Sequence, residues 1–302
     1  MIYREAGVYK TTYRADHAIF TIPQDRWSMI GIFAIAFLLI PAVGSEYWLG
    51  AIMLPFLILA LAALGLNILT GYCGQLSLGT GGFMATGAFS AYKLATSFPD
   101  MNIVLVIFGA GLIAAAVGIL FGIPSLRIKG FYLAVATLAS QFFLIWMFNK
   151  FGWFTNYSAS GVISAPPMTI IGDIFVTGPK ASLVTKYLFT LSIVVVMALA
   201  AKNLVRSNIG REWMAVRDMD IAAEIIGIPM LSTKLKAFAV SSFFCGVAGA
   251  LWAFLYTGSV EPLAFDVNRS FQVLFMIIIG GLGSIMGAFL GAAFIVLLPI
   301  LL

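Results

Sequence analysis

The sequence has 302 residues, of which 62% are apolar and only 10% are charged, and its mean hydropathy is +1.05. This composition excludes a water-soluble globular protein, because such a protein needs polar side chains to cover its exterior. The 17 Lys and Arg residues exceed the 12 Asp and Glu residues, but they stand in short segments between apolar runs and form no basic stripe. We therefore expect membrane lipid, and no nucleic acid, as a partner.

Nine apolar runs follow one another along the chain, and most are long enough to cross about 30 Å of hydrocarbon as a helix. They cover approximately 27–43, 49–69, 82–95, 103–123, 131–148, 183–201, 235–256, 271–282 and 285–302. The third and eighth runs are short and adjoin glycine clusters at 71–82 and 280–283, which predicts broken or re-entrant helices with buried backbone. The expected fold is an all-α, polytopic membrane bundle of eight or nine transmembrane segments. The last run reaches Leu302, which leaves open whether a further helix follows.

Positive charges set the expected orientation, because cytoplasmic loops are enriched in Lys and Arg. With the N-terminus inside, the segments 1–27, 124–130 and 202–236 lie inside and hold 12 of the 17 cations. Residues 1–27 are then a cytoplasmic tail, and 28–302 form a single transmembrane domain in the inner membrane. Within that domain, 150–182 form a periplasmic loop, which is expected to be an ordered cap, and 202–234 form a cytoplasmic loop.

The inner loop contains the pattern of a short capped helix. Asp220 is a suitable N-cap for a helix over 221–226, Gly227 suits the left-handed position after the helix, and Pro229 prevents continuation. Ile221 and Ile225 share one face of this helix. Such a helix can transmit movement from a cytoplasmic partner, or it can rest as an amphipathic helix at the lipid surface.

The nine runs contain no Asp or Glu between their predicted ends. Proton-coupled carriers commonly use intramembrane carboxylates, so the energy for transport is expected from a cytoplasmic partner. Backbone carbonyls and hydroxyls can still bind sodium, so an ion-coupled secondary carrier of a small solute remains the alternative. No Ser/His, paired-Asp or metal-ligand group and no phosphate-binding loop appears, so the chain is expected to be no enzyme and to bind no metal or cofactor itself.

Glycines and isolated polar residues provide the candidate path for a solute. Gly71, Gly74 and Gly79 either let helices approach closely or unwind the chain, so that Gln75 and Ser77 line the path.

A second set of residues is assigned mainly to packing. Gly281 and Gly283 lie in the other glycine cluster, and Gly283, Gly287 and Gly291 recur at every fourth position, as in close helix packing. Asn67 and Gln141 are further path candidates, although a bond to a neighbouring helix is favoured for both.

Three separate motifs resemble one family. The stretch 220–227 (DIAAEIIG), followed by Ile228-Pro229 and by 234–238 (KLKAF), is similar to the EAA-type coupling segment of ABC importer permeases. The stretches 71–79 (GYCGQLSLG) and 280–284 (GGLGS) resemble glycine-rich segments of high-affinity branched-chain amino-acid permeases of the LivM type. The resemblance extends from about Leu49 to the end of the chain.

This resemblance implies a permease subunit that moves branched-chain amino acids, or a similar small polar solute, from periplasm to cytoplasm. The implied partners are a second related permease subunit, two cytoplasmic ATPase subunits that use ATP, and a periplasmic substrate-binding protein. Urea, short amides and small aromatic acids remain alternative solutes. The residues assigned to ATPase coupling are Arg217, Asp220, Ala222, Ala223, Glu224 and Gly227.

Overall fold

The computed structural model describes residues 11–12, 23–125, 131–158, 160–170, 175–178 and 181–301. Most of the predicted tail 1–27, the centre of the predicted inner loop at 126–130, and Leu302 lie outside the described residues. The chain divides into two compact units, Met1–Ser45 and Glu46–Leu302.

The first unit contributes one apolar helix, α1. It runs through Pro23–Ala34, a π-helical stretch Ile35–Leu39 and a final turn Ile40–Val43. Its part Arg26–Val43 is long and apolar enough to cross a membrane.

The second unit is built from helices of very different length. They are α2 Trp48–Tyr72, α3 Thr80–Ser97, α4 Ile103–Ser125, α5 Phe131–Lys150, α6 Leu183–Arg206, α7 Asn208–Asp218, α8 Asp220–Ile225, α9 Met230–Thr257, α10 Val267–Gly280 and α11 Ile285–Leu301. The first turns of α2, the last turn of α2 and the last turns of α9 are π-helical, over Trp48–Met53, Ile68–Tyr72 and Trp252–Thr257.

Seven helices of the described part of the chain are long and apolar enough to span a bilayer, and α11 is a shorter apolar helix. The all-α polytopic fold is therefore confirmed. Each of the nine predicted runs corresponds to a helix, but α3 and α11 do not qualify as spans by length and hydropathy. The count of eight or nine spans and the inside position of the N-terminus stay predictions.

Helix α9 forms the centre of the second unit and packs against α2, α3 and α4. Its contact with α3 depends on small residues, since a Cβ on Gly87 would overlap the backbone of Gly246, and a Cβ on Gly249 would overlap that of Met84. Lipid tails are as apolar as Leu, so close backbone approach of this kind is a principal source of helix association in membranes.

Helices α10 and α11 form a second close pair. A Cβ on Gly291 would overlap the carbonyl of Met276, and one on Gly287 would overlap that of Gly280, so the predicted packing role of these two glycines is confirmed. Gly283 does not share their helical face, because it precedes the helix in a left-handed conformation with φ +74°, at the predicted helix break.

Helix α10 begins four residues before the predicted run, because Asp266 caps it. The Asp266 carboxylate accepts a hydrogen bond from the Arg269 N–H at 3.1 Å, as N-cap residues do. The expectation of carboxylate-free spans is therefore wrong, since the span Pro262–Gly280 contains Asp266. The polar pair Asn268-Arg269 interrupts the apolar pattern and hides the start of this helix in the sequence.

The long segment after α5 forms a short strand and further hydrogen bonds where the structure describes it. Strand β1, Ile163–Ser164, pairs antiparallel with β2, Ser259–Val260. The Thr177 hydroxyl donates to the carbonyl of Pro166 at 2.9 Å and accepts from the N–H of Met168 at 2.7 Å. These bonds fasten the segment to itself and to the connection between α9 and α10.

Candidate functional site

The short helix α8 ends in the glycine motif that the sequence predicts. Gly227 has φ +90°, and its N–H donates to the carbonyl of Glu224 at 3.0 Å. The N–H of Ile228 donates to the carbonyl of Ala223 at 3.0 Å. This pair of bonds is a Schellman motif, which satisfies carbonyls that the helix end would otherwise leave free. A Cβ on Gly227 would meet no atom within 4 Å. A larger residue is therefore disfavoured here by the left-handed backbone conformation and not by a lack of space.

The predicted N-cap of α8 is off by one residue. Met219, with φ −159° and ψ 99°, is the N-cap, and Asp220 is the first helical residue. The extended conformation of Met219 terminates α7 and starts α8 directly. In the first turn, the Asp220 carboxylate still lies where the helix dipole favours a negative charge.

Helix α8 presents an apolar surface to the exterior of the described chain. Ile225 is 80% exposed and Ile221 is 66% exposed, whereas Ala223 is buried. Glu224 and Ala222 are also exposed. We call the exposed side chains of Ile221, Ile225 and Ile226 the isoleucine surface.

Helix α7 fixes the position of α8 relative to the membrane helices. Trp213 is fully buried, and its Nε1–H donates to the carbonyl of Thr233 in α9 at 3.0 Å. At the end of α7, Arg217 donates from Nη1 to the carbonyl of Gly71 at 3.1 Å and pairs with Asp218 at 2.8 Å. The position of α8 is therefore tied to the last turn of α2.

Gly71 belongs to a compact set of bonds that we call the glycine junction, formed by Asn67, Gly71, Arg217, Gly283 and Ser284. The Asn67 side chain accepts from the Gly283 N–H at 2.9 Å and donates to the Ser284 carbonyl at 2.8 Å. A Cβ on Gly71 would overlap the Asn67 side chain and the backbone of Gly283. The junction thus joins the break after α2, the break before α11 and the end of α7.

Two more predicted glycines flank the junction. Gly74 has φ +72°, and a Cβ there would lie 3.0 Å from Arg217 Cγ. Gly281 has φ +102° and connects α10 to the junction. The sequence placed all of these glycines at helix breaks but gave no sign that the two breaks touch, since Asn67 and Gly283 are 216 residues apart.

The segment between α2 and α3 is not helical, and its two predicted path residues are buried. Gln75 is 4% exposed and Ser77 is 2% exposed. The Gln75 N–H donates to the Leu69 carbonyl at 3.1 Å, and the Gly79 N–H donates to Ser77 Oγ at 3.3 Å. The Gln75 Oε1 atom accepts no hydrogen bond from the described residues. These side chains are covered in this conformation, and their place on a solute path stays a prediction.

Gln141 lies at a third meeting point and is fully buried. Its Nε2 donates to the Phe265 carbonyl at 2.7 Å, and its Oε1 accepts from the Gly82 N–H and from Ser270 Oγ. The Gly81 N–H in turn donates to Ser270 Oγ at 2.8 Å. Gln141 therefore bonds neighbouring helices, as favoured from the sequence, whereas Ser270 carried no motif that could have revealed it.

Membrane-crossing helices, two glycine breaks that contact each other, and an exposed short helix that follows the helix bonded to one break define an integral membrane protein of the transport class. The match of residues 48–302 to one family model then specifies the family: the chain belongs to the permease components of branched-chain amino acid transport systems.

Curated relatives agree with this family. The chain is 32% identical over 261 residues to the high-affinity branched-chain amino acid transport system permease protein LivM of Salmonella typhimurium LT2, covering 80% of this chain and 60% of the relative. The LivM protein of Escherichia coli K12 is 33% identical over 261 residues, which also cover 80% of this chain and 60% of the relative. A probable LivM protein of Methanocaldococcus jannaschii is 28% identical over 240 residues, or 76% of this chain and 66% of the relative. The chain thus spans about 60% of the length of the first two relatives. No solved structure matches the chain significantly.

Proposed function

We propose that this chain is the permease subunit of an ATP-binding-cassette importer that carries branched-chain amino acids, or a closely similar solute, into the cytoplasm. A second related permease subunit completes the membrane part, two ATPase subunits hydrolyse ATP, and a periplasmic binding protein delivers the solute. The chain itself performs no catalysis and binds no nucleotide. The names of the LivM relatives support the solute class.

The observation that carries this proposal is the isoleucine surface on a helix with acidic ends. Ile225 and Ile226 are 80% and 73% exposed, which suits a contact with a protein partner. A helix that rests on anionic lipid normally carries Lys or Arg on its polar face. Helix α8 instead carries Asp220 and Glu224 and has no basic residue, so a protein partner is favoured over the lipid surface.

The contacts of α7 connect the isoleucine surface mechanically to the membrane helices. Movement of α8 would pull on Arg217, whose guanidinium donates to the Gly71 carbonyl at 3.1 Å. Because Gly71 packs on Asn67 and Gly283, the pull would reach both helix breaks together. In this proposal, the coupling residues transmit force, and the buried Gln75 and Ser77 become accessible to solute when the junction moves.

The ion-coupled carrier remains the competing function, and Asp266 is its best candidate group. Both oxygens of that carboxylate accept hydrogen bonds, one from the Arg269 N–H at 3.1 Å and one from Asn268 Nδ2 at 2.7 Å. A capping carboxylate engaged in this way is poorly placed to bind and release a proton or a sodium ion, which favours the ATP-driven function.

Substitution of the isoleucine surface tests the proposal. Ile225→Asp places a charge in the proposed contact, so co-purification of the ATPase subunits and ATP hydrolysis stimulated by loaded binding protein should fall tenfold or more, as at an interface hot spot. The matched control is Leu263→Asp, which changes another exposed side chain, 67% exposed, beyond the far end of α9. Wild-type association and stimulation in Ile225→Asp would contradict the proposal and favour the lipid-surface interpretation.

A further inference from the structure

A half-buried cation lies in the first turn of α10. Arg269 is the third residue of this helix and belongs to the candidate span Pro262–Gly280. A charged side chain within such a segment is rare and is generally retained for a function.

The direct contacts of the Arg269 guanidinium within the described part of the chain are two neutral acceptors and an aromatic ring. Its Nη1 donates to Gln272 Oε1 at 2.7 Å, its Nε faces the Ala264 carbonyl at 3.4 Å, and its Cζ lies 4.3 Å from the centre of the Trp252 ring. No described carboxylate lies within ion-pairing distance of it. The nearest acid in sequence, Asp266, is occupied with backbone and Asn268 donors.

Two sets of N–H donors are left without acceptors at this place. Among the described residues, Nη2 of Arg269 donates no hydrogen bond, although a guanidinium has five N–H groups in a fixed fork. The Arg269 guanidinium lies over the Trp252 ring. The Nε1–H of that ring is buried and has no described partner, and Trp252 is 6% exposed. A buried donor without an acceptor costs free energy. A site of donors alone is complementary to an anion.

Aromatic surface adjoins these donors. The Tyr256 ring lies 4.6 Å from the Trp252 ring, and Tyr256 is 39% exposed. A carboxylate at the free edge of the guanidinium would therefore leave an attached aliphatic group next to exposed aromatic carbon. Arg is the side chain best suited to a carboxylate, because its fork can donate two parallel hydrogen bonds.

We propose that Arg269, with Trp252 and Tyr256, forms a transient binding site for the carboxylate of the transported solute. This inference rests on the proposed function for the identity of that solute, and it specifies that the solute enters with its carboxylate towards α10. The site orients the solute and holds it weakly, since tight binding would oppose release to the other side.

Protection of Arg269 from chemical modification tests the site directly. Phenylglyoxal modifies accessible arginines, and mass spectrometry of the assembled wild-type complex in detergent reports the modified fraction of Arg269. Leucine and 4-methylpentanoate, which have the carboxylate, should slow modification about threefold or more, whereas isoamylamine, which lacks it, should have no effect. The exposed Arg211 is the internal control and should react equally in all samples. Equal rates for Arg269 with all three probes, or no reaction because a partner subunit covers it, would overturn the inference.

Transport by variants separates this site from the proposed function. In proteoliposomes with the cognate binding protein, Arg269→Met should lower leucine transported per ATP hydrolysed about tenfold, or about 1.4 kcal/mol, while stimulated hydrolysis persists. Arg269→Lys should restore part of the loss, since it keeps a positive charge without the fork. Lys150→Met removes another exposed cation and should transport as wild type. Failure of the wild-type complex to take up leucine would refute the proposed function. Normal uptake by Arg269→Met, or loss of complex assembly in that variant, would refute the carboxylate site alone.

Discussion

At the scale of single residues, Asn67 is the side chain that links α2 to the segment before α11 in the glycine junction. It is fully buried, and its amide bonds one backbone N–H and one backbone carbonyl of the segment before α11. That segment is not helical, so its polar groups need partners from elsewhere. A buried backbone group that loses its partner costs about 1–3 kcal/mol.

We therefore expect Asn67→Ala to destabilise the protein by about 1–3 kcal/mol, because two part-buried backbone groups each lose a hydrogen bond worth about 0.5–1.5 kcal/mol. The measurement is the thermal unfolding midpoint of the purified subunit in detergent. Asn149→Ala is the control, since Asn149 is exposed and bonds only its own helix at Ile145, and it should change stability by no more than about 0.5 kcal/mol. Equal unfolding midpoints for the two variants would show that the glycine junction does not stabilise the protein.

Local patterns predicted single residues well where their partners are close in sequence. The left-handed conformation of Gly227 follows from a helix end shortly before a proline, and the structure has it. Asp220 is displaced by one position because the conformation of Met219 depends on how α7 ends. The bonds of Asn67 and Gln141 join residues more than 50 positions apart, so the chain's local pattern carries no information about them.

At the scale of elements, apolar length predicted which segments are helical, because lipid forces every exposed backbone group into an internal hydrogen bond. The same rule misjudged α10, whose N-cap is Asp266 and whose first turn contains Arg269. Polar residues are tolerated there because Asp266 caps the helix and because Gln272 and Trp252 hold the guanidinium. The breaks around Gly71 and Gly283 were predicted, but their mutual contact was not.

The orientation of these elements is a prediction from charge alone, and cysteine labelling tests it. Ile225→Cys should react with a membrane-impermeant maleimide only after the cells are permeabilised, whereas Leu263→Cys should react in intact cells. Both positions are well exposed, at 80% and 67%. The native Cys73 and Cys245 are buried, so the unsubstituted protein is the blank. The reverse labelling pattern would place the isoleucine surface outside and contradict the proposed ATPase contact.

At the scale of the whole molecule, three meeting points connect the parts that a transport cycle has to move. The glycine junction joins the end of α7 to both helix breaks. Gln141 joins α3, α5 and α10, and Arg269 lies beside Trp252 of α9 in the first turn of α10. Helix α10 runs from Arg269 to the junction, so it offers a continuous element between the proposed solute contact and the proposed ATPase contact.

ATP-dependent uptake of radioactive leucine tests the central claim most directly. The assay uses proteoliposomes that contain this chain, its second permease and its ATPases, with the binding protein added outside and nucleotide enclosed. We predict accumulation of leucine with ATP and none with a non-hydrolysable analogue, and no change when ionophores collapse the proton and sodium gradients. Accumulation that follows an imposed ion gradient and proceeds without ATP would contradict the account and identify the chain as a secondary carrier.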